Sequence, residues 1–299
     1  MSKIAAWLNA ARLRTLPLSV SGIVVGSALA RFYGKNDILI FILALLTTIG
    51  FQVTSNFAND YGDGIKGTDN DDRVGPKRAL QSGLLTAKEL KIGIVIAVII
   101  CAILVVSVLY FSFGSQQIEY FVLFGVLASL SIWAAIKYTV GSSAYGYRGL
   151  GDIFVFIFFG LLAVLGSLFL YTKFITGYAW LPAIAVGALS TGVLNLNNLR
   201  DFESDRKAGK NTMIVKMGVE NGKKYHYILV AMSFVSMVLF ILFNAEVWYQ
   251  FISLLAFIPV GVHVVKVIRN EVPQRLDPEL KKLALSTFLM SFLFYITFI

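Results

Sequence analysis

Long apolar runs alternate with short polar joins along this chain. Nine of the runs stand out, at roughly 15–33, 37–58, 90–112, 118–138, 152–172, 177–198, 225–244, 247–268 and 283–299. Runs of roughly 17–25 apolar residues are long enough to cross a bilayer as helices. None alternates apolar and polar positions as barrel strands do, so helices are the expected spanning form. The joins are short except at 59–89, 199–224 and 269–282, and none has room for a soluble domain. The expected fold class is all-α: a polytopic membrane protein of nine transmembrane helices, with residues 1–299 as a single integral-membrane domain.

Composition agrees with the pattern. Hydrophobic residues make up 57% of the chain and charged residues 14%, against about 25% charged in an ordinary soluble domain. The first run lacks a small-residue cleavage site and is entered through "RLRTLP", which argues against a removable leader. The single cysteine, Cys101, excludes an internal disulfide and any cysteine-based metal site. The two histidines, His226 and His263, look isolated and are expected to be packing or helix-end residues rather than metal ligands.

The net charge of +9 could suggest nucleic acid, but its placement does not. With nine spans, 23 of the 26 Lys and Arg residues fall on one side, leaving only Arg31, Lys35 and Lys173 on the other. That split is a strong positive-inside signal. It predicts a cytoplasmic N-terminus, an outward C-terminus and the bacterial cytoplasmic (inner) membrane as location, with no nucleic-acid partner. No obligate protein partner is evident from the sequence.

Carboxylates gather on the same side, and topology does not demand that. Asp37, Glu119 and Glu246 are the only acidic residues outside it. The rest include two clusters. In "NFANDYGD", Asn56, Asn59, Asp60 and Asp63 share one face if the second span stays helical to its end. In "NNLRDFESD", Asn197, Asn198, Asp201 and Asp205 lie mostly on one face at the end of the sixth span. The two amide-then-carboxylate stripes look like a degenerate internal repeat.

Facing carboxylates repel unless a cation lies between them. Oxygen ligands without His or Cys suit a hard divalent ion, Mg²⁺ above all, which takes few carboxylates and fills its shell with water and phosphate oxygens. Arg73, Lys77, Arg78, Arg206 and Lys210 follow the stripes, where they could hold a diphosphate. The plain alternative is a pair of solvated, charged loops. Other motifs carry less. "GYRGLGD" lacks the dinucleotide spacing, and "GKNT" lacks the upstream glycine of a phosphate loop. Gly22 and Gly26 form a GxxxG expected to pack within the chain rather than to make a dimer seam. A transporter or cation channel with an acidic gate would place its ionisable residues nearer the bilayer midplane.

Five stretches together resemble the UbiA superfamily of intramembrane aromatic prenyltransferases: "RLRTLP", "NDYGD" with "GTD", "DRVGPKRALQSG", "GYRGLGDIFVFIFFG" and "NNLRDFESDRKAGKNT". The resemblance covers nearly the whole chain and is greatest to the branch that uses 1,4-dihydroxy-2-naphthoate. It implies nine helices around a central cavity. It also implies two Mg²⁺ sites for a polyprenyl diphosphate, one at Asn59, Asp60 and Asp63 and one at Asp201 and Asp205, with Asn56, Asn197, Asn198 and Asp69 in support. Arg14, Arg73, Tyr138 and Tyr147 are candidate anchors for the aromatic acid. Two departures from the wider superfamily point to the naphthoate branch. Gly67 stands where a further Asp is common, and Ser142 stands where a Lys would complete a Tyr-x-x-x-Lys element starting at Tyr138. Other acceptors of the same superfamily, such as 4-hydroxybenzoate, a haem or a chlorophyllide, remain alternatives.

Overall fold

The computed structural model describes residues 2–69 and 74–298, so Arg73 lies outside the described residues. The helices are α1 (Lys3–Ala11), α2 (Leu16–Phe32), α3 (Ile38–Ile65), α4 (Ala87–Phe113), α5 (Ile118–Lys137), α6 (Gly151–Val155), α7 (Ala163–Thr172), α8 (Trp180–Arg200), α9 (Phe202–Lys207), α10 (Met213–Met217), α11 (Val219–Asn244), α12 (Phe257–Ile268) and α13 (Asp277–Thr297). A π-helical stretch, Phe156–Leu162, joins α6 to α7 without a break. Among the described residues there is no strand, and nine helical stretches are long and apolar enough to cross a bilayer. The all-α, nine-span expectation therefore stands.

Local chemistry explains where the helices start and stop. Asp37 caps α3 by accepting from the backbone N–H groups of Leu39 (2.8 Å) and Ile40 (3.1 Å). Thr86 and Glu89 form a reciprocal capping box at the head of α4, and Gly114 ends that helix at φ 61°. The first span is longer than expected because α1 precedes it. The chain turns at Arg12, a non-glycine residue at φ 52°, and the Asn56 amide donates to the Ala11 carbonyl at 2.8 Å to hold that turn.

Three expected joins are shorter than the pattern suggested. The helix α3 runs to Ile65, α11 begins at Val219 and α13 begins at Asp277. At each of these ends the helix continues through polar residues past the apolar run. The histidines also differ from expectation. They are not isolated. His226 Nε2 and His263 Nε2 meet at 2.9 Å, and His263 Nδ1 meets Glu279 Oε2 at 2.9 Å, tying α11, α12 and α13 together.

The most enclosed helix is α8, which packs on α2, α6, α7, α11 and α13. Small residues let these backbones approach. A Cβ on Gly160 would meet Gly187 Cα at 2.5 Å and the Ala183 carbonyl at 2.7 Å. Gly22 and Gly26 lie against Ala163 and Ser167, so the GxxxG packs within the chain, as expected. Outward residues such as Ile96, Ile99, Ile103, Val126 and Leu242 are more than half exposed, which suits contact with acyl chains.

This packing has a measurable consequence. A Cβ on Gly26 would sit 1.9 Å from Ser167 Oγ and 2.4 Å from the Val164 carbonyl. Overpacking of this kind costs about 1–3 kcal/mol. Gly26→Ala should lower the thermal midpoint of the detergent-purified protein by several degrees. Gly125→Ala, with nothing within 4 Å of the new atom, should leave it unchanged. Equal midpoints for both variants would contradict the close α2–α7 contact.

Candidate active site

The spans surround a cavity of about 810 Å³, within the range of small-molecule sites. One end is apolar, lined by Ile23, Ala44, Val108, Leu109, Phe124 and Leu170. The other is polar, lined by Asn59, Asp60, Asp63, Arg78, Arg200 and Lys210 among others. Along α3, the wall from Asp63 to Ala44 is about 28 Å long at 1.5 Å per residue, close to the ~30 Å thickness of a bilayer's hydrocarbon core. The cavity thus offers a charged head and a long greasy tail.

The first stripe is helical throughout, because α3 continues to Ile65. Its four residues nevertheless do different things. Asp63 Oδ1 accepts from the Tyr147 hydroxyl (2.7 Å), and Asp63 Oδ2 accepts from Arg78 Nη1 (2.6 Å). Asp60 accepts from the backbone N–H groups of Ala79 (3.1 Å) and Leu80 (3.2 Å), so it anchors the turn that delivers Arg78. The side-chain oxygen of Asn59 accepts from Thr139 Oγ1 at 3.2 Å. Asn56 holds the α1 turn. Asp69 pairs with Arg78 at 3.1 Å, which explains how a carboxylate displaced from the usual spacing still joins the cluster.

The second stripe is interrupted. The helix α8 stops at Arg200, Asp201 occupies the junction, and Asp205 lies in the short α9. Asn197 lines the cavity, whereas Asn198 is buried outside it. Arg200 organises the junction. Its Nε and Nη2 each donate to Asp201 at 2.8 Å, Nη2 also reaches the Asn197 side-chain oxygen at 2.9 Å, and Nη1 pairs with Asp277. Lys210 Nζ lies 3.8 Å from Asp205 Oδ1.

Tyr147, in the "GYRGLGD" segment, joins the two halves. Its hydroxyl reaches Asp63, its carbonyl accepts from the Asn211 N–H (3.1 Å), and Lys210 Nζ stands 5.4 Å from its ring centre. On this tyrosine, Lys66 Nζ also lies 3.9 Å from the ring centre. Glycines on either side allow the fit: a Cβ on Gly146 would meet the Tyr138 carbonyl at 2.7 Å.

Protonation follows from this crowding. Burial disfavours charge on Lys210, but the Asp63 and Asp205 carboxylates outweigh it and hold the ammonium above the usual lysine range. Burial also disfavours charge on Arg78, and Asp63 and Asp69 more than restore it. Burial and the Asp63 carboxylate push the Tyr147 phenol up, so it stays a donor. Burial pushes Tyr138 up as well, with Asp152 and Asp63 adding to the effect. At the cavity head Arg78 and Lys210 are therefore held charged beside the carboxylates that face them.

Most sequence-predicted residues converge here. Asn59, Asp60, Asp63, Lys77, Arg78, Asn197, Lys210, Arg14 and Tyr138 line one cavity, and Tyr147, Asp201 and Asp205 brace it. Arg206 does not join them. It pairs with Glu203 at 2.8 Å on the exposed side of α9, because the short helix turns that face to solvent. Sequence reasoning missed Arg200, although "NNLRD" places it between two predicted residues. It also missed Asp277, Thr139 and Lys66, which no spacing could have linked to the stripes.

The donor set is oxygen only. Asn59, Asp60 and Asp63 at the cavity head are oxygen donors of the kind Mg²⁺ takes, one or two carboxylates at a time, with phosphate oxygens and water completing its shell.

These features define a membrane-embedded protein whose spans enclose a cavity with one charged end and one apolar end. The chain belongs to the UbiA prenyltransferase family, whose model matches residues 19–293. It is 42% identical over 295 residues to the 1,4-dihydroxy-2-naphthoate octaprenyltransferase of Escherichia coli (strain K12), covering 98% of this chain and 95% of that protein. The enzyme of the same name from Haemophilus influenzae is also 42% identical, with the same coverage. Among solved structures, a UbiA homolog from Aeropyrum pernix K1 superposes with a TM-score of 0.73 at 15% identity, covering 95% of this chain and 98% of that one. A UbiA homolog from Archaeoglobus fulgidus bound to GPP and Mg²⁺ gives 0.66 at 15% identity, over 99% and 98%. At that identity the structures speak for the fold.

Proposed function

We propose that this protein transfers a polyprenyl group from polyprenyl diphosphate to 1,4-dihydroxy-2-naphthoate, releasing diphosphate and CO₂ and giving demethylmenaquinol, a step of menaquinone biosynthesis. The observation that carries the reading is near full-length 42% identity to naphthoate prenyltransferases, in a chain whose cavity pairs a charged head with an apolar tail.

The residues divide the work as follows. Asn59, Asp60 and Asp63 on one side, and Asp201 and Asp205 on the other, would hold Mg²⁺. When bound, the ion neutralises the diphosphate and makes it a better leaving group. Arg78 and Lys210 hold diphosphate oxygens, with Lys77 at the rim. Tyr147 fixes Asp63. The C–O bond of the allylic diphosphate breaks, and its electron pair leaves with the diphosphate. Tyr145 and Phe154 stack with ring centres 4.0 Å apart, and Tyr138 stands 5.3 Å from Tyr145. These rings line the cavity and can stabilise an allylic cation while keeping water out.

The ring carbon that bears the carboxylate forms the new C–C bond. It has no proton to lose, so the bond to the carboxylate breaks, its electrons return to the ring and CO₂ departs. The same reading takes residues 1–299 as one domain in the bacterial cytoplasmic membrane. The N-terminus and charged head face the cytoplasm, on the strength of the lysine and arginine distribution.

The test is a product that can be weighed. Purified protein with Mg²⁺, a polyprenyl diphosphate and carboxyl-labelled 1,4-dihydroxy-2-naphthoate should release labelled CO₂ in step with diphosphate. Turnover of 4-hydroxybenzoate with retention of its carboxylate, and none of the naphthoate, would assign the protein to another branch.

A further inference from the structure

The seam between α12 and α13, outside the cavity, carries a charge imbalance. Glu279 is buried in it, and three basic side chains converge on its carboxylate. Oε2 faces His263 Nδ1 at 2.9 Å. Oε1 accepts from Lys282 Nζ at 2.6 Å and lies 3.8 Å from Lys266 Nζ. The two ammonium groups also stand side by side. Other surface pairs are one to one: Lys3 meets Glu89, Arg206 meets Glu203 and Lys223 meets Glu220. Here one carboxylate serves two lysines, so a positive charge is left over and neighbouring ammonium groups repel.

The imbalance lies at the surface. The Lys266 and Lys282 side chains are 53% and 46% exposed, whereas that of Glu279 is 7% exposed. They share the end of the molecule that holds the cavity head, because Asp277 at the start of α13 pairs with Arg200. Away from that end, both helices show exposed aliphatic residues. On α12 these are Val262 and Ile258, four and eight positions from Lys266, and on α13 they are Leu285 and Leu289, three and seven positions from Lys282. Such spacings keep each set on the face of its lysine. The result is a cationic head above a greasy track about 10–12 Å long at 1.5 Å per residue.

Positive-inside topology accounts for lysines at this end of the spans. It does not account for two held together over one carboxylate that a histidine already engages, since separated lysines would satisfy the rule without repulsion. We infer that Lys266 and Lys282 form a binding site for the phosphate of an anionic phospholipid, with an acyl chain lying along Val262, Ile258, Leu285 and Leu289. Basic pockets between spans at the membrane surface take such head groups. The phosphate neutralises the surplus charge. Glu279 already fixes both ammonium groups, so little side-chain freedom is lost on binding. The site is independent of the acceptor that the enzyme uses.

The experiment reconstitutes the full chain into vesicles of mixed dioleoylphosphatidylglycerol and dioleoylphosphatidylcholine, extracts it in detergent and identifies the retained lipid by native mass spectrometry. Wild type should retain phosphatidylglycerol over phosphatidylcholine by about tenfold or more. K266Q/K282Q should lose that preference, and K266R/K282R, which keeps the charge, should retain it. K88Q/K91Q removes two exposed lysines at the head of α4 and should behave as wild type. A second measurement follows from ligand linkage. Phosphatidylglycerol added to the detergent-purified protein should raise the thermal midpoint of wild type and K88Q/K91Q, and should leave that of K266Q/K282Q unmoved. Equal retention of both lipids by wild type would overturn the inference. So would a preference that survives in K266Q/K282Q, or one that falls equally in K88Q/K91Q, which would reduce it to general surface attraction. Displacement of the lipid by inorganic phosphate alone would also overturn it, by showing a site for a free anion.

Discussion

Asp63→Asn should lower kcat by roughly a thousandfold, the scale seen when one preorganised charged group is removed from an active site. Asp63 is the point where three elements meet. It accepts from Tyr147 at 2.7 Å and from Arg78 at 2.6 Å, and its carboxylate helps keep Lys210 charged. An asparagine there presents an amide to one of these donors and removes the charge that balances Arg78. Breaking one partner of a buried pair costs about 3–5 kcal/mol, so the variant should also melt earlier. Asp60→Asn probes a different role, because Asp60 holds the backbone of the turn after Arg78. Its loss should displace Arg78 and raise the KM for diphosphate along with the fall in kcat. Asp37→Asn is the control. Asp37 only caps α3, so that variant should lose no more than about 1 kcal/mol of stability and keep its activity. Near-normal turnover by Asp63→Asn would remove this residue from the chemistry.

Removing divalent cations should abolish turnover altogether. The donors at the cavity head are carboxylates and amides, and Mg²⁺ takes only one or two carboxylates and draws its remaining ligands from phosphate oxygens and water, so an ion should bind best together with the diphosphate. Activity should vanish in EDTA and return with Mg²⁺. A readout independent of turnover follows from ligand linkage. Mg²⁺ with inorganic diphosphate should raise the thermal midpoint more than either alone, and Asp63→Asn should lose that synergy. Full activity in chelator would exclude the metal role. Synergy that survives in Asp63→Asn would move the ion away from the first stripe.

Much of this protein was legible in its residues. Apolar run length determines that helices span a bilayer, since a backbone in lipid must satisfy its own hydrogen bonds. The charge split predicts an orientation, and the spacing of Asn56, Asn59, Asp60 and Asp63 marks a polar helical face. Resemblance then supplies the family. What periodicity could not tell is which stripe residue touches which neighbour. Asp60 and Asp63 are three positions apart in one helix, yet one binds a backbone turn and the other binds Arg78 and Tyr147.

Those differences arise because residues distant in the chain arrive at the same point. Tyr147 comes from the join after α5, Arg78 from the loop after α3, and Lys210 from the segment after α9. The Arg200–Asp277 pair spans 77 positions of sequence. The interruption of α8 at Arg200 and the outward turn of Arg206 were likewise decided by tertiary packing. Helical periodicity describes one helix at a time, whereas the partner of a charged group is set by where other helices end.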